Sequence, residues 1–76
     1  MNVFIMKHDH KHGTDIKVYS SEYKAWFSAV EYMRDTADEW GAEDEVMSMS
    51  DDELWRSHPQ ITGETEFFSI EECEVL

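Results

Sequence analysis

Residues 20–41, SSEYKAWFSAVEYMRDTADEWG, decide how the rest of the chain must fold. Tyr23, Trp26, Val30, Met33, Ala37 and Trp40 recur at intervals of three and four, and Ala29 widens the stripe. That period places apolar side chains on one face of an α-helix. Ser20 or Ser21 supplies an N-cap oxygen, Glu22 puts an anion in the first turn, and Gly41 offers a left-handed stop. The spacing predicts one long helix over 21–40. A lone amphipathic helix cannot bury its stripe, so the flanking segments must supply a second apolar layer.

Upstream, VFIMKHDH (3–10) and TDIKVYS (14–20) read as two strands joined through KHG (11–13). Ile16 and Val18 fall on one face of the second strand, Lys17 and Tyr19 on the other. Gly13 suits a tight connection that needs positive φ. Downstream, AEDEVMSM (42–49) reads either as loop or as a short helical turn. SDDELWRSHP (50–59) opens on a Ser50–Glu53 capping box, places Asp51 and Asp52 in the first turn, docks Leu54 and Trp55 inward and stops at Pro59. QITG (60–63) turns the chain, and ETEFFSIEECEVL (64–76) reads as a final strand. Phe68 and Ile70 share a face there, whereas Cys73 and Val75 are offset by one. That offset predicts a bulge at Glu71–Glu72 and makes Cys73 a small core residue. The expected fold is α+β in the order β-β-α-(α)-β: an antiparallel sheet of about three strands packed against one long helix. Residues 1–76 form a single domain.

Seventy-six residues bury only a small core. A hydrophobic share of 41% with 13% aromatics is still enough to argue against disorder. The single cysteine rules out an internal disulfide or a cysteine-rich zinc site and favours a reducing compartment. The apolar run Val3 to Met6 is far too short for a signal-peptide core or a membrane span. A soluble, cytoplasmic protein is expected.

Charge carries the strongest functional signal. The net value is −12, unevenly placed. Residues 1–30 hold four lysines against Asp9, Asp15 and Glu22, whereas residues 31–76 hold only Arg34 and Arg56 against fifteen carboxylates. Direct nucleic-acid binding is disfavoured, because a polyanion is repelled. A basic protein surface is the natural complement. The candidate partner-binding residues are Glu31, Asp35, Asp38, Glu39, Glu43, Asp44, Glu45, Asp51, Asp52 and Glu53. Carboxylates three and four positions apart on a helix stand roughly 5–6 Å apart at Cβ. Successive phosphates along a nucleic-acid strand are spaced similarly, on a path longer than the roughly 3.4 Å axial rise.

A second constellation lies in HDHKHGTD (8–15). His8, His10 and His12 alternate, so on a strand they share a face with roughly 6.6 Å between neighbouring Cα atoms. Such imidazoles bind zinc, copper or nickel, and Asp15 or His58 could add a ligand. A small metal-binding module using His8, His10 and His12 is therefore the alternative reading. Nothing in the sequence assures a fourth fixed ligand, so the primary reading carries no metal and no cofactor. Catalysis is not expected: there is no glycine-rich phosphate loop, no nucleophile elbow and no HExxH. Pairs such as Asp51–Asp52 are unavoidable among fifteen acids in residues 31–76.

The opening strand, the HKHG turn (10–13) of an HxHG kind, the second strand, the capped helix and the closing EFFSIEECEVL (66–76) together resemble small phage and mobile-element proteins. In size and acidity the chain is similar to phage-encoded anti-CRISPR proteins of the DNA-mimic type. The resemblance implies a non-enzymatic inhibitor in the bacterial host cytoplasm during phage infection. As a monomer or weak homodimer, it would cover the basic DNA-binding or PAM-recognition surface of a CRISPR-Cas effector subunit and block target DNA. No individual residue is transferred, because that group shares no sequence signature. The plainer alternative is a phage accessory protein that is acidic for solubility alone.

Overall fold

Strand β1 (Asn2–His10) is the middle of a three-stranded sheet of order β2-β1-β3. The computed structural model describes residues 1–76. Strand β2 (Gly13–Tyr19) follows by a tight turn at Lys11–His12, and His10 pairs with Gly13. Gly13 takes φ +132°, a conformation that side-chain-bearing residues rarely adopt. Strand β3 (Phe67–Glu74) pairs with the other edge of β1, from Asn2↔Glu74 to Asp9↔Phe67. All pairings are antiparallel. Between β2 and β3 run helix α1 (Glu22–Asp35), a 3-10 turn (Ala37–Trp40), helix α2 (Glu43–Met47) and helix α3 (Asp51–Ile61). The α+β class and the β-β-α-α-β order are those expected, although the first helix is shorter.

Ser21 is the N-cap of α1, its hydroxyl accepting from Lys24 N at 3.1 Å. The predicted helix 21–40 breaks at Thr36, whose hydroxyl donates to Tyr32 O at 2.8 Å and competes with the helical ladder. The chain tightens into the 3-10 turn and stops at Gly41, in the left-handed region at φ +65° as anticipated. The ambiguous segment 42–49 contains α2. The Ser50–Glu53 box caps α3, with Glu53 N donating to Ser50 Oγ at 3.2 Å.

Helix α1 meets the sheet through Ala25, Ala29, Val30 and Met33, all buried. These pack with Met6, Ala37, Ala42, Val46 and Leu54 in one core, flanked by Phe4, Tyr19, Trp26, Trp55, Phe68 and Ile70. The stripe thus sits one residue round from its predicted centre. Alanines 25 and 29 let the helix approach the sheet, Tyr23 is 65% exposed, and Trp40 lies at the surface. Tyr19 OH and Ser28 Oγ, 2.7 Å apart, tie β2 to α1.

Two further expectations are corrected. Pro59 lies inside α3, which continues to Ile61. Its missing N–H falls in the last turn and costs a single ladder bond there. The register of β3 is unbroken, so there is no bulge at Glu71–Glu72. Without that extra residue Cys73 falls opposite Val3 on the face away from the helices, where it is exposed rather than core. Ile16, at 59% exposure, and Val18, at 60%, lie on that same outer face, because Tyr19 and Lys17 pair with Phe4 and Met6 on the helix side. Residues 64–66, expected in the last strand, form the approach to it. No helix is long and apolar enough to cross a membrane.

Candidate functional site

The ten predicted contact acids distribute over the helical layer. Glu31 and Asp35 are one turn apart on α1, Asp38 and Glu39 lie in the 3-10 turn, Glu43, Asp44 and Glu45 open α2, and Asp51, Asp52 and Glu53 open α3. Nine are exposed. Asp51 is the exception: it is half-buried and accepts from Arg34 Nη2 at 2.5 Å. The same guanidinium donates to Val46 O and Met49 O, both at 3.1 Å, so Arg34 clasps the α2–α3 link onto α1. Six of the ten acids occupy the first turns of α2 and α3, where a carboxylate offsets the positive end of the helix dipole. Those positions therefore have a local structural cause as well as an outward charge.

Beside Asp52 lie Tyr23 and Trp26, two residues expected in the helix's buried stripe. Tyr23 and Phe27 are exposed and stacked, with centroids 5.8 Å apart at 17°, and Trp26 lies 6.0 Å from Tyr23. Glu22, Tyr23, Trp26 and Asp52 line a shallow groove where the starts of α1 and α3 meet.

A different set of groups converges at the hairpin end of the sheet. Because β1 and β2 pair with His8 opposite Asp15, and His10 is two residues along β1, all three side chains share the helix-facing side. One donor atom from each lies within 4.8 Å of the other two. His10 Nε2 is 3.0 Å from Asp15 Oδ2. The His12 backbone N–H donates to His10 Nδ1 at 3.2 Å, so the proton of a neutral His10 ring sits on Nε2 and points at Asp15. His12 itself belongs to the turn and is exposed; its ring lies 6.1 Å from that of His10, outside the set of three convergent donors.

His8 is buried, at 6% exposure. Its ring stacks on Phe68 at 4.1 Å and 5°, meets Tyr32 edge-on at 4.9 Å, and holds Glu66 Oε1 at 2.6 Å from Nε2. Glu66 is brought there by the turn after α3, in which Gly63 and Glu64 take φ of 64° and 63°. Thr62 Oγ1 accepts from Glu66 N at 3.3 Å and fixes the approach. A left-handed glutamate is strained, whereas asparagine tolerates that region better. Glu64→Asn is expected to raise stability by a few tenths to about 1 kcal/mol, read as a higher thermal midpoint with unchanged far-UV circular dichroism.

His8, His10, Asp15, Tyr32 and Glu66 line a cleft of about 450 Å³ that also includes Lys11, His12, Glu39, Trp40 and Thr65. The Tyr32 phenol is held above its ordinary value of 10, first by burial and then by the carboxylates of Glu66, Glu39 and Asp15, so it stays a neutral donor. His58 is buried behind, edge-on to Phe68 at 5.4 Å, with no partner for either ring nitrogen. Asp15 was legible as a possible addition to the histidines, whereas Glu66 and Tyr32 were missed. No periodicity or motif links them to His8, and only the tertiary packing brings them there.

No protein-family model, curated protein or solved structure matches this chain.

Proposed function

We propose that this protein is a non-catalytic inhibitor that occupies the basic, nucleic-acid-binding surface of a partner protein, in the manner of an anionic DNA mimic. The observation that carries the reading is that nine of the ten helical-layer acids are exposed and none of those nine is engaged by a cation of its own chain. Their charge is therefore available to a partner. The exposed aromatic pair Tyr23–Phe27, next to Trp26 and Asp52, adds the anchor that a charge-only surface lacks. Aromatic side chains pack well against arginine and are enriched among residues that dominate binding energy. A CRISPR-Cas effector subunit that contacts target or PAM duplex is the proposed partner, and the inhibitor acts in the bacterial cytoplasm as a monomer or weak homodimer.

Long-range charge acts mainly on association. The double charge reversal Asp35→Lys with Asp38→Lys is expected to slow association with the effector roughly tenfold at low salt and to leave the folding midpoint nearly unchanged. The gap between parent and variant should narrow as ionic strength rises, because contacts between exposed charges are screened. Surface plasmon resonance against purified effector complexes, with duplex DNA as competitor, makes the measurement. Equal inhibition of target binding by parent and variant would sink the proposal.

A further inference from the structure

The hairpin-end cleft contains donors that the acidic surface does not use. His8 is anchored on three sides, by Phe68, Tyr32 and Glu66. His10 is anchored by the His12 backbone N–H, with Nε2 directed at Asp15. The restraint on His8 is unlike that of solvent-facing histidines, whose rings must be immobilised by the ion itself. Two imidazoles and one carboxylate, with donor atoms within 4.8 Å of one another, form a compact set. The second carboxylate, Glu66, is 13% exposed. Imidazole with carboxylate is a donor combination suited to first-row divalent ions such as zinc, and two carboxylates neutralise a dication.

We infer that this cleft is a divalent transition-metal site whose ligands are His8, His10 and Asp15. Glu66 fixes the His8 ring, and the open side of the cleft leaves room for a further ligand from solvent. Binding through Nε2 requires the His10 proton to move, by way of solvent, from Nε2 to Nδ1, which ends the hydrogen bond from the His12 N–H, and the freed Nε2 lone pair and an Asp15 oxygen then both turn from each other to the ion. The set differs from a three-histidine face, because the third convergent donor is Asp15, supplied by the β1–β2 register, whereas His12 lines the same cleft without joining that donor set. The three ligands are distinct from the ten partner-binding acids, although Glu39 lines the same cleft, and the assignment does not depend on the proposed target.

Titration calorimetry with zinc chloride in a non-chelating buffer tests the assignment, with cobalt(II) visible absorption as a second readout of the coordination sphere. The parent should bind one ion per chain. Asp15→Asn and His10→Ala, both at positions open to solvent on at least one side, should each weaken binding at least tenfold with native circular dichroism. Glu66→Gln should weaken it roughly 10–100-fold, as expected when the group orienting a ligand is lost. His12→Ala should stay within threefold of the parent. Failure of the parent to bind, binding undiminished in both Asp15→Asn and His10→Ala, or a loss in His12→Ala equal to that in Asp15→Asn would each overturn the site.

Discussion

Arg34→Met should lower the unfolding free energy by about 1.5–3 kcal/mol, the range for hydrogen bonds made by a charged group. The aliphatic part of the side chain is kept, so the loss isolates the guanidinium. Its two bonds to Val46 O and Met49 O satisfy carbonyls at the end of α2 and in the link to α3. Val46 O keeps the Met49 N–H at 3.1 Å, so the carbonyl that loses most when the head group is gone is that of Met49. The Asp51 pair adds less, because both partners are a third or more exposed and salt screens them. In a domain with twelve buried residues this is a large share of total stability. Urea titration monitored by tryptophan fluorescence should show a lower midpoint with a similar slope. A midpoint within 0.2 M of the parent would show that the clasp is not needed. The same variant raises net negative charge by one, so improved association with a basic partner is compatible with a weakened fold, and the two readouts are separable.

His58→Leu is expected to move stability the other way. His58 is 2% exposed, neither ring nitrogen has a partner, and its neighbour Phe68 is apolar. Leaving buried polar atoms unpaired costs about 1–3 kcal/mol, which leucine of comparable bulk avoids. A gain of about 1–2 kcal/mol at pH 7 is the expected result, after allowance for imperfect packing. Burial pushes the imidazole below its usual 6.5; Glu66 pulls it partly back, and His8 depresses it further. The folded state thus resists a proton that the unfolded chain accepts. Stability from the neutral ring is complete above about pH 6.5 and declines as the pH falls from there toward the lowered folded value. The difference in unfolding free energy between variant and parent should therefore widen between pH 7 and pH 5. A variant less stable than the parent at pH 7, or a difference that does not change with pH, would refute this account.

The sheet, the capped helix and the acidic N-termini were legible because each rests on local chemistry. Ser21, Gly41 and the Ser50–Glu53 box act within four residues of themselves. The helix stripe was read one residue off centre because large aromatics dominate any apolar pattern, whereas the sheet selects small residues where backbones approach, here Ala25 and Ala29. Cys73 was misplaced for a related reason. A strand's two faces are equivalent until something covers one, and the helices cover the face of Phe68 and Ile70 only. Within the cleft, His8, His10 and Asp15 follow from one hairpin register and could be found by counting across Gly13. Tyr32 arrives from α1 and Glu66 from the turn after α3, so their proximity to His8 is a property of packing alone. The exposed acids were legible as charge, but the pairing of Asp51 with Arg34 depends on how α2 folds back.

The central position of β1 also bears on how quickly the protein can reach this state. Its partner β2 is reached through a two-residue turn, whereas residues paired with β3 lie from 58 (Asp9↔Phe67) to 72 (Asn2↔Glu74) positions away. Closing a loop of that length brings a chain-entropy cost before any ladder bond rewards it. The hairpin and α1 can assemble locally, but one edge of β1 stays unpaired until nearly the whole chain has condensed. During that interval Ile5 and Met6 border an open strand edge, the kind of surface that recruits a wrong strand. The glutamates at 71, 72 and 74 make β3 a poor partner for other copies of itself. Seen as kinetics, part of the acidity of this chain keeps its slowest strand single until it finds its own edge.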